Sequence, residues 1–101
     1  MKYTYDENKK KLKLELDEDI DMNSCRSLRT IVDGYIMRYS PLTCELDMTS
    51  VKFMDSSGLG FIMGRFNLAE MLGCNLIVTN PDSNIKKLLQ MYENGKKIKV
   101  M

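Results

Sequence analysis

Asp55-Ser56-Ser57-Gly58 sets a carboxylate and two hydroxyls side by side, just ahead of a helical pattern that opens at Leu59. An apolar run, Leu46, Met48, Val51 and Phe53, precedes it. The spacing predicts a strand-to-helix turn, with these polar groups at the amino end of the helix. Such an end carries unpaired backbone N–H groups and the positive pole of the helix dipole. A phosphoryl group on Ser56 or Ser57 would find donors there, while Asp55 would repel it. That opposition fits a switchable site better than a standing anion receptor. The bland role of the same residues is capping, since Asp and Ser accept bonds from the first free N–H groups of a helix.

Other chemistries fall away. The 101 residues contain no histidine, which removes Ser-His-Asp and Cys-His catalysis and imidazole metal sites. Cys25, Cys44 and Cys74 are an odd set without a CxxC pair, each at an apolar position. They read as buried thiols rather than a disulfide or a metal site. A dinucleotide fingerprint beginning at Gly58 and Gly60 needs its third glycine at position 63, which is Met63; Gly64 comes one residue late. There is no GxxxxGK phosphate loop. A nucleophile elbow needs glycine two residues before the serine, where Met54 or Asp55 stands. Lys52 is the one lysine close in sequence for a Ser-Lys hydrolase, and its place on the strand is solvent-facing. The chain reads as a binding module rather than an enzyme, with no cofactor and no metal.

The elements that must hold this turn follow from patterning. With 44% hydrophobic and 29% charged residues, the chain reads as one globular domain spanning 1–101. Tyr3 and Tyr5 alternate with Lys2 and Thr4, and Leu12, Leu14 and Leu16 with Lys11, Lys13 and Glu15. Joined by Asp6-Glu7-Asn8-Lys9, these predict a hairpin, its edge guarded by lysines. Asp17 to Asp21 is an acidic loop, and Asp21 or Asn23 caps a helix on Cys25, Leu28, Ile31, Val32, Tyr35, Ile36 and Tyr39. Gly34 weakens that helix and Ser40-Pro41 ends it. Thr43 to Met48 is a strand, with Cys44, Leu46 and Met48 inward and Asp47 on the other face.

The helix after the turn buries Leu59, Ile62, Met63, Phe66 and Ala69, is extended by Leu72, and stops at Gly73. Gly60 and Gly64 would let it approach the sheet closely. Leu76-Ile77-Val78 reads as an inner parallel strand. Asn80 to Ser83 opens a helix on Ile85, Leu88, Leu89 and Tyr92, stopped by Glu93-Asn94-Gly95, before a last strand at Ile98 and Val100. This order predicts an α/β fold: one mixed sheet, right-handed crossovers and helices packed mainly on one face. The polar alternates Lys11, Lys13, Glu15, Glu45 and Asp47 take the other face. Met48, Met54, Met63, Met71 and Met91 are core filler, although Met22 and Met54 flank the acidic loop and the turn, where thioethers can also serve a partner surface. A net charge of +1 gives no reason to expect nucleic acid or a membrane as partner. No apolar run reaches 18 residues and the amino end is no signal peptide, which places the protein in the cytoplasm.

Asp55-Ser56-Ser57-Gly58-Leu59-Gly60 after Val51-Lys52-Phe53-Met54 resembles the signature of the STAS domain, in particular that of bacterial anti-sigma factor antagonists. Weaker similarity runs from about Leu12 to about Leu89. The family's loop before the first helix reads roughly Gly-Glu-Leu-Asp. Here it is Glu18-Asp19-Ile20-Asp21, so Asp21 matches the aspartate and Glu18 replaces the glycine. Asp47-Met48-Thr49 stands for the family's Asp-Leu-Ser. The resemblance implies the STAS fold and a partner, an anti-sigma factor with serine kinase activity, bound by the unphosphorylated form so that a sigma factor is released. It further implies phosphorylation of the serine after the aspartate, Ser56, reversed by a serine phosphatase. Asp21, Asp55, Ser57, Gly58, Met22 and Met54 would surround that serine, with Ser57 as a cap. The alternative is a STAS scaffold without phosphorylation, or a module binding a small anion or nucleotide at the same helix end.

Overall fold

Leu12, Leu14, Cys44, Leu46 and Val78 are fully buried, and the pairing of their strands explains why. The computed structural model describes residues 1–91 and 99–101, without the side chain of Met91. Lys2–Asp6 (β1) pairs antiparallel with Lys11–Glu15 (β2), and Thr43–Asp47 (β3), Asn75–Thr79 (β4) and Lys99–Val100 (β5) add in parallel, in the order β1-β2-β3-β4-β5. The helices Cys25–Tyr39 (α1), Ser56–Met71 (α2) and Ser83–Met91 (α3) form the crossovers. Sequential parallel neighbours joined by right-handed crossovers put every helix on one face. The α/β architecture expected from the pattern is the one observed.

Register aligns Tyr5, Leu12, Cys44 and Leu76 in one row and Tyr3, Leu14, Leu46, Val78 and Val100 in the next. These rows meet Leu28, Val32 and Ile36 of α1, Leu59, Ile62 and Ala69 of α2, and Ile85 and Leu89 of α3. At the sheet edge Tyr3 packs on Tyr35 (4.5 Å between centroids) and Tyr5 on Tyr39 (4.7 Å), so two residues of β1 are held by α1. The three cysteines are free thiols, and burial beside Cys74 and Glu45 pushes the Cys44 thiol up to about 12.

Several expectations need correction. Ile31 is exposed, because the α1 stripe narrows to Leu28, Val32 and Ile36. Phe53 and Met71 are exposed as well, while Met54 is core. On α2, Phe61 and Arg65 are buried and Met63 and Phe66 only half so. That helix is apolar nearly all round, so periodicity could not choose its inner face. Arg65 is tolerated inside because Asp33 of α1 pairs with it at 2.5 Å. Gly60 and Gly64 do not approach the sheet: a Cβ at either would meet nothing within 4 Å. Tyr92, the Glu93-Asn94-Gly95 stop and Ile98 lie outside the described residues.

The opposite sheet face carries the polar alternates. Lys11 reaches Glu45 at 3.1 Å and Lys13 reaches Asp47 at 3.7 Å, and the Thr79 hydroxyl donates to Glu45 at 2.8 Å. Asp47 also accepts from the Thr49 N–H, the Thr49 hydroxyl and the Asn80 amide. Burial alone would push the Asp47 carboxyl up, but those hydrogen bonds and the Lys13 ammonium outweigh it and hold the carboxyl below its ordinary value. A depressed folded-state pKa contributes stability that is complete above the unfolded carboxylate value, about 3.9, and is lost as pH falls through the folded one. Asp47→Asn should therefore flatten the loss of stability below about pH 4, measured as urea midpoints across a pH series. Equal slopes for variant and wild type would exclude Asp47 from the acid-sensitive groups.

Candidate functional site

Two loops meet at the carboxyl ends of the parallel strands. The Ile20 N–H donates to the Phe53 carbonyl (3.0 Å) and the Asp55 N–H to the Ile20 carbonyl (3.3 Å), forming a one-residue parallel bridge between Ile20 and Met54. This stitch fixes the acidic loop against the start of α2. Asp55 is the N-cap: its Oδ1 accepts from the N–H groups of Ser57 (2.8 Å) and Gly58 (3.3 Å). Before α1 the expected cap, Asp21 or Asn23, is not the one found: the N-cap position is Ser24, without a side-chain cap bond. Asp21 instead holds the turn ahead of the helix, accepting from the N–H groups of Asn23 (2.9 Å) and Ser24 (3.0 Å). The Ser24 hydroxyl closes the loop by donating to the Asp19 carbonyl at 2.6 Å.

Ser56 is the first residue of α2 and is exposed. Ser57 is half-buried, and its carbonyl accepts from the Cys25 thiol at 3.3 Å. Burial pushes the Cys25 thiol up, and the carboxylates of Asp55 and Asp21 push it further. Asp21 and Asp55 lie on the two segments that the Ile20 stitch holds together. The Asp55 cap changes the chemistry expected of the helix end. Two of its free N–H groups are already taken by a fixed carboxylate, which leaves fewer donors for a phosphate or other anion.

Gly58 is buried, and the reason is contact rather than turn geometry. A Cβ there would stand 2.9 Å from the Ile20 carbonyl oxygen and 2.0 Å from Cγ of Met54. Met54 itself is 4% exposed, so its thioether belongs under α2 and not to a partner-facing surface, as the flanking position had allowed. Met22 is 78% exposed and does face solvent. Sequence reasoning missed Phe53, which is 53% exposed beside the stitch, and Ile20, whose backbone makes it. Ile20 gave no signal beyond being the apolar residue in an acidic loop. Among the described residues, no group of His, Cys, Asp and Glu is placed to hold a metal ion.

A family model for the STAS domain matches residues 2–101. The chain belongs to the STAS domain family. A curated relative, the anti-sigma F factor antagonist of Paenibacillus polymyxa, is 31% identical over 78 residues, covering 77% of this chain and 67% of the relative. The fold is that of the anti-sigma factor antagonist SpoIIAA in its unphosphorylated form, with a TM-score of 0.72 at 21% identity, covering 99% of this chain and 87% of that one. The Bacillus cell fate determinant SpoIIAA in the phosphorylated form gives a TM-score of 0.70 at 21% identity, covering 99% and 91%. This STAS domain keeps its polar turn at the start of α2 and closes it with Gly58.

The contacts at Gly58 make a paired prediction. Gly58→Ala should lower stability by about 1–3 kcal/mol, because the new methyl meets Met54 and the Ile20 backbone. Gly60→Ala, two residues on and facing open space, should raise it by up to about 1 kcal/mol. Thermal or urea unfolding measures both, and a neutral Gly58→Ala would contradict the close approach.

Proposed function

We propose that this STAS domain is an anti-sigma factor antagonist. Unphosphorylated, it binds an anti-sigma factor that has serine kinase activity, and a sigma factor is released. Phosphorylation of Ser56 ends that binding, and a serine phosphatase restores it. The protein acts by association in the cytoplasm and not as an enzyme. The observation that carries the reading is Ser56 itself: an exposed hydroxyl at the start of α2, next to a cap carboxylate that is already engaged. The name of the 31% identical relative supports the same class of partner. Among the described residues no helix is long and apolar enough to cross a membrane.

Magnitudes favour a switch over an anion receptor. A phosphoryl group adds about −1.5 to −2 charges. An exposed helix end favours it by about 0.3–1 kcal/mol. A carboxylate about 5 Å from one unit of that charge opposes it by roughly 3 kcal/mol at an effective dielectric near 20. Solvent relieves much of this in the free protein, where Ser56 is exposed. A partner packed over Asp21, Asp55 and Ser56 excludes that solvent, so the repulsion appears as lost affinity. A loss of 3 kcal/mol weakens binding more than a hundredfold. The Asp55 cap argues against the small-anion alternative for the same reason.

Ser56→Ala should keep the fold, bind the anti-sigma factor and resist phosphorylation; modification that persists in Ser56→Ala and vanishes in Ser57→Ala would move the site to Ser57. Ser56→Asp should weaken binding while shifting the melting temperature by only a few degrees. Asp21→Asn separates the turn's hydrogen bonds from charge, because asparagine can accept the same two N–H bonds. Its melting temperature should stay unchanged, while partner affinity or the rate of Ser56 phosphorylation changes. If neither changes, Asp21 only holds its turn.

A further inference from the structure

Arg26, Arg29 and Asp33 recur at about one-turn spacing on α1, and Ser56, Gly60 and Gly64 do so on α2, so each set shares a helix face. The helices run parallel: the Cys25 thiol meets Ser57, and eight residues further along both, Asp33 meets Arg65. Between them lies an open groove of about 520 Å³, walled by Arg26, Arg29, Gly60, Gly64, Leu68 and Met71. From Gly60 to Met71 it extends roughly 16 Å, about three turns of helix.

Shape and charge together select an occupant. The two glycines leave the α2 backbone open, since a Cβ on either meets nothing within 4 Å. Asp33 is the one carboxylate among the lining residues, and the buried Arg65 engages it at 2.5 Å. Arg29 reaches that carboxylate only at 3.9 Å and is 70% exposed. Arg26 is exposed and has no ion-pair partner among the described residues. The groove therefore offers two available guanidinium groups, which suit carboxylates in a forked geometry. Met71, 83% exposed, gives the far end an apolar contact. A closed site for a small molecule would need walls that this open trough lacks.

We propose that the α1–α2 groove docks an acidic amphipathic helical segment of the protein partner. Carboxylates of that segment meet Arg26 and Arg29, and its apolar face lies over Gly60, Gly64 and Met71. This inference rests on the partner-binding function proposed above and deepens it. Ser56 stands on the same face of α2 one turn before Gly60, so a phosphoryl group there confronts the arriving carboxylates at the groove mouth. Asp21 and Asp55 make that mouth acidic while the groove is basic, which also fixes the direction in which the segment lies.

The test titrates the 15N-labelled, unphosphorylated full chain with two synthetic helical peptides that share an apolar face, one flanked by glutamates and the other by lysines. The glutamate peptide should bind, shifting amide signals of residues 25–33 and 56–71, and the lysine peptide should not. The double variant Arg26→Glu/Arg29→Glu should weaken the glutamate peptide at least tenfold. Gly64→Leu should do the same by filling the trough, and the amide spectrum verifies that each variant is folded. Equal binding of both peptides, shifts outside the groove, or wild-type affinity in both variants overturns the proposal. A parallel titration with the anti-sigma factor separates groove from function. If it binds Arg26→Glu/Arg29→Glu as tightly as wild type but fails to bind Ser56→Asp, the groove is overturned and the function stands. If it does not bind the wild type while the glutamate peptide does, the function is overturned and the groove stands.

Discussion

The backbone exchange between Ile20 and the Phe53–Asp55 segment is the constraint from which the site is built. Parallel strands end on the same edge of their sheet, and each crossover helix begins there. β2 and β3 therefore deliver two loops to one place, but proximity alone would leave both free to move. The bonds from the Ile20 N–H to Phe53 and from the Asp55 N–H to Ile20 tie them into one surface. The first turn of α2 then has to lie against the Ile20 carbonyl, which only a residue without a side chain permits. Gly58 is that residue. Glu18, in the same acidic loop, is exposed and takes no part in the stitch.

That constraint sets the electrostatics. Asp55 spends one carboxylate oxygen on the N–H groups that open α2, and Asp21 spends one on the turn before α1, so both are fixed in position. Asp55 directly precedes an exposed serine, and Asp21 lies on the loop stitched to that turn, with Met22 and Phe53 as exposed apolar residues on the joined segments. Added negative charge at Ser56 needs no rearrangement of the fold to be felt. It acts on whatever packs over the turn, and water shields it until something does.

Much of this was legible in the sequence. Strict alternation at Leu12, Leu14 and Leu16 gave the hairpin, and Asp-Ser-Ser-Gly gave the start of α2, although its cap is Asp55 and not Ser57, whose N–H the Asp55 carboxylate takes. What escaped depends on contacts between distant segments. The role of Gly58 requires knowing where Ile20 lies, and loop pairing leaves no periodic trace. Arg65 lies outside the stripe expected to be buried, and its burial depends on Asp33 of α1 standing beside it. Gly60 and Gly64 were legible as a face free of side chains, but not as a face turned away from the sheet, because α2 is apolar on nearly every side. Phe53 follows the strand pattern and still points outward, since the strand has ended before it.

The account turns on charge at one hydroxyl, and the affinity of the anti-sigma factor tests that most directly. Its dissociation constant should be measured for the unmodified protein and for protein stoichiometrically phosphorylated at Ser56, at low and at high salt. The account predicts a loss of more than a hundredfold on phosphorylation, partly recovered at high salt, with no change in melting temperature beyond a few degrees. Equal affinities for the two forms would contradict it.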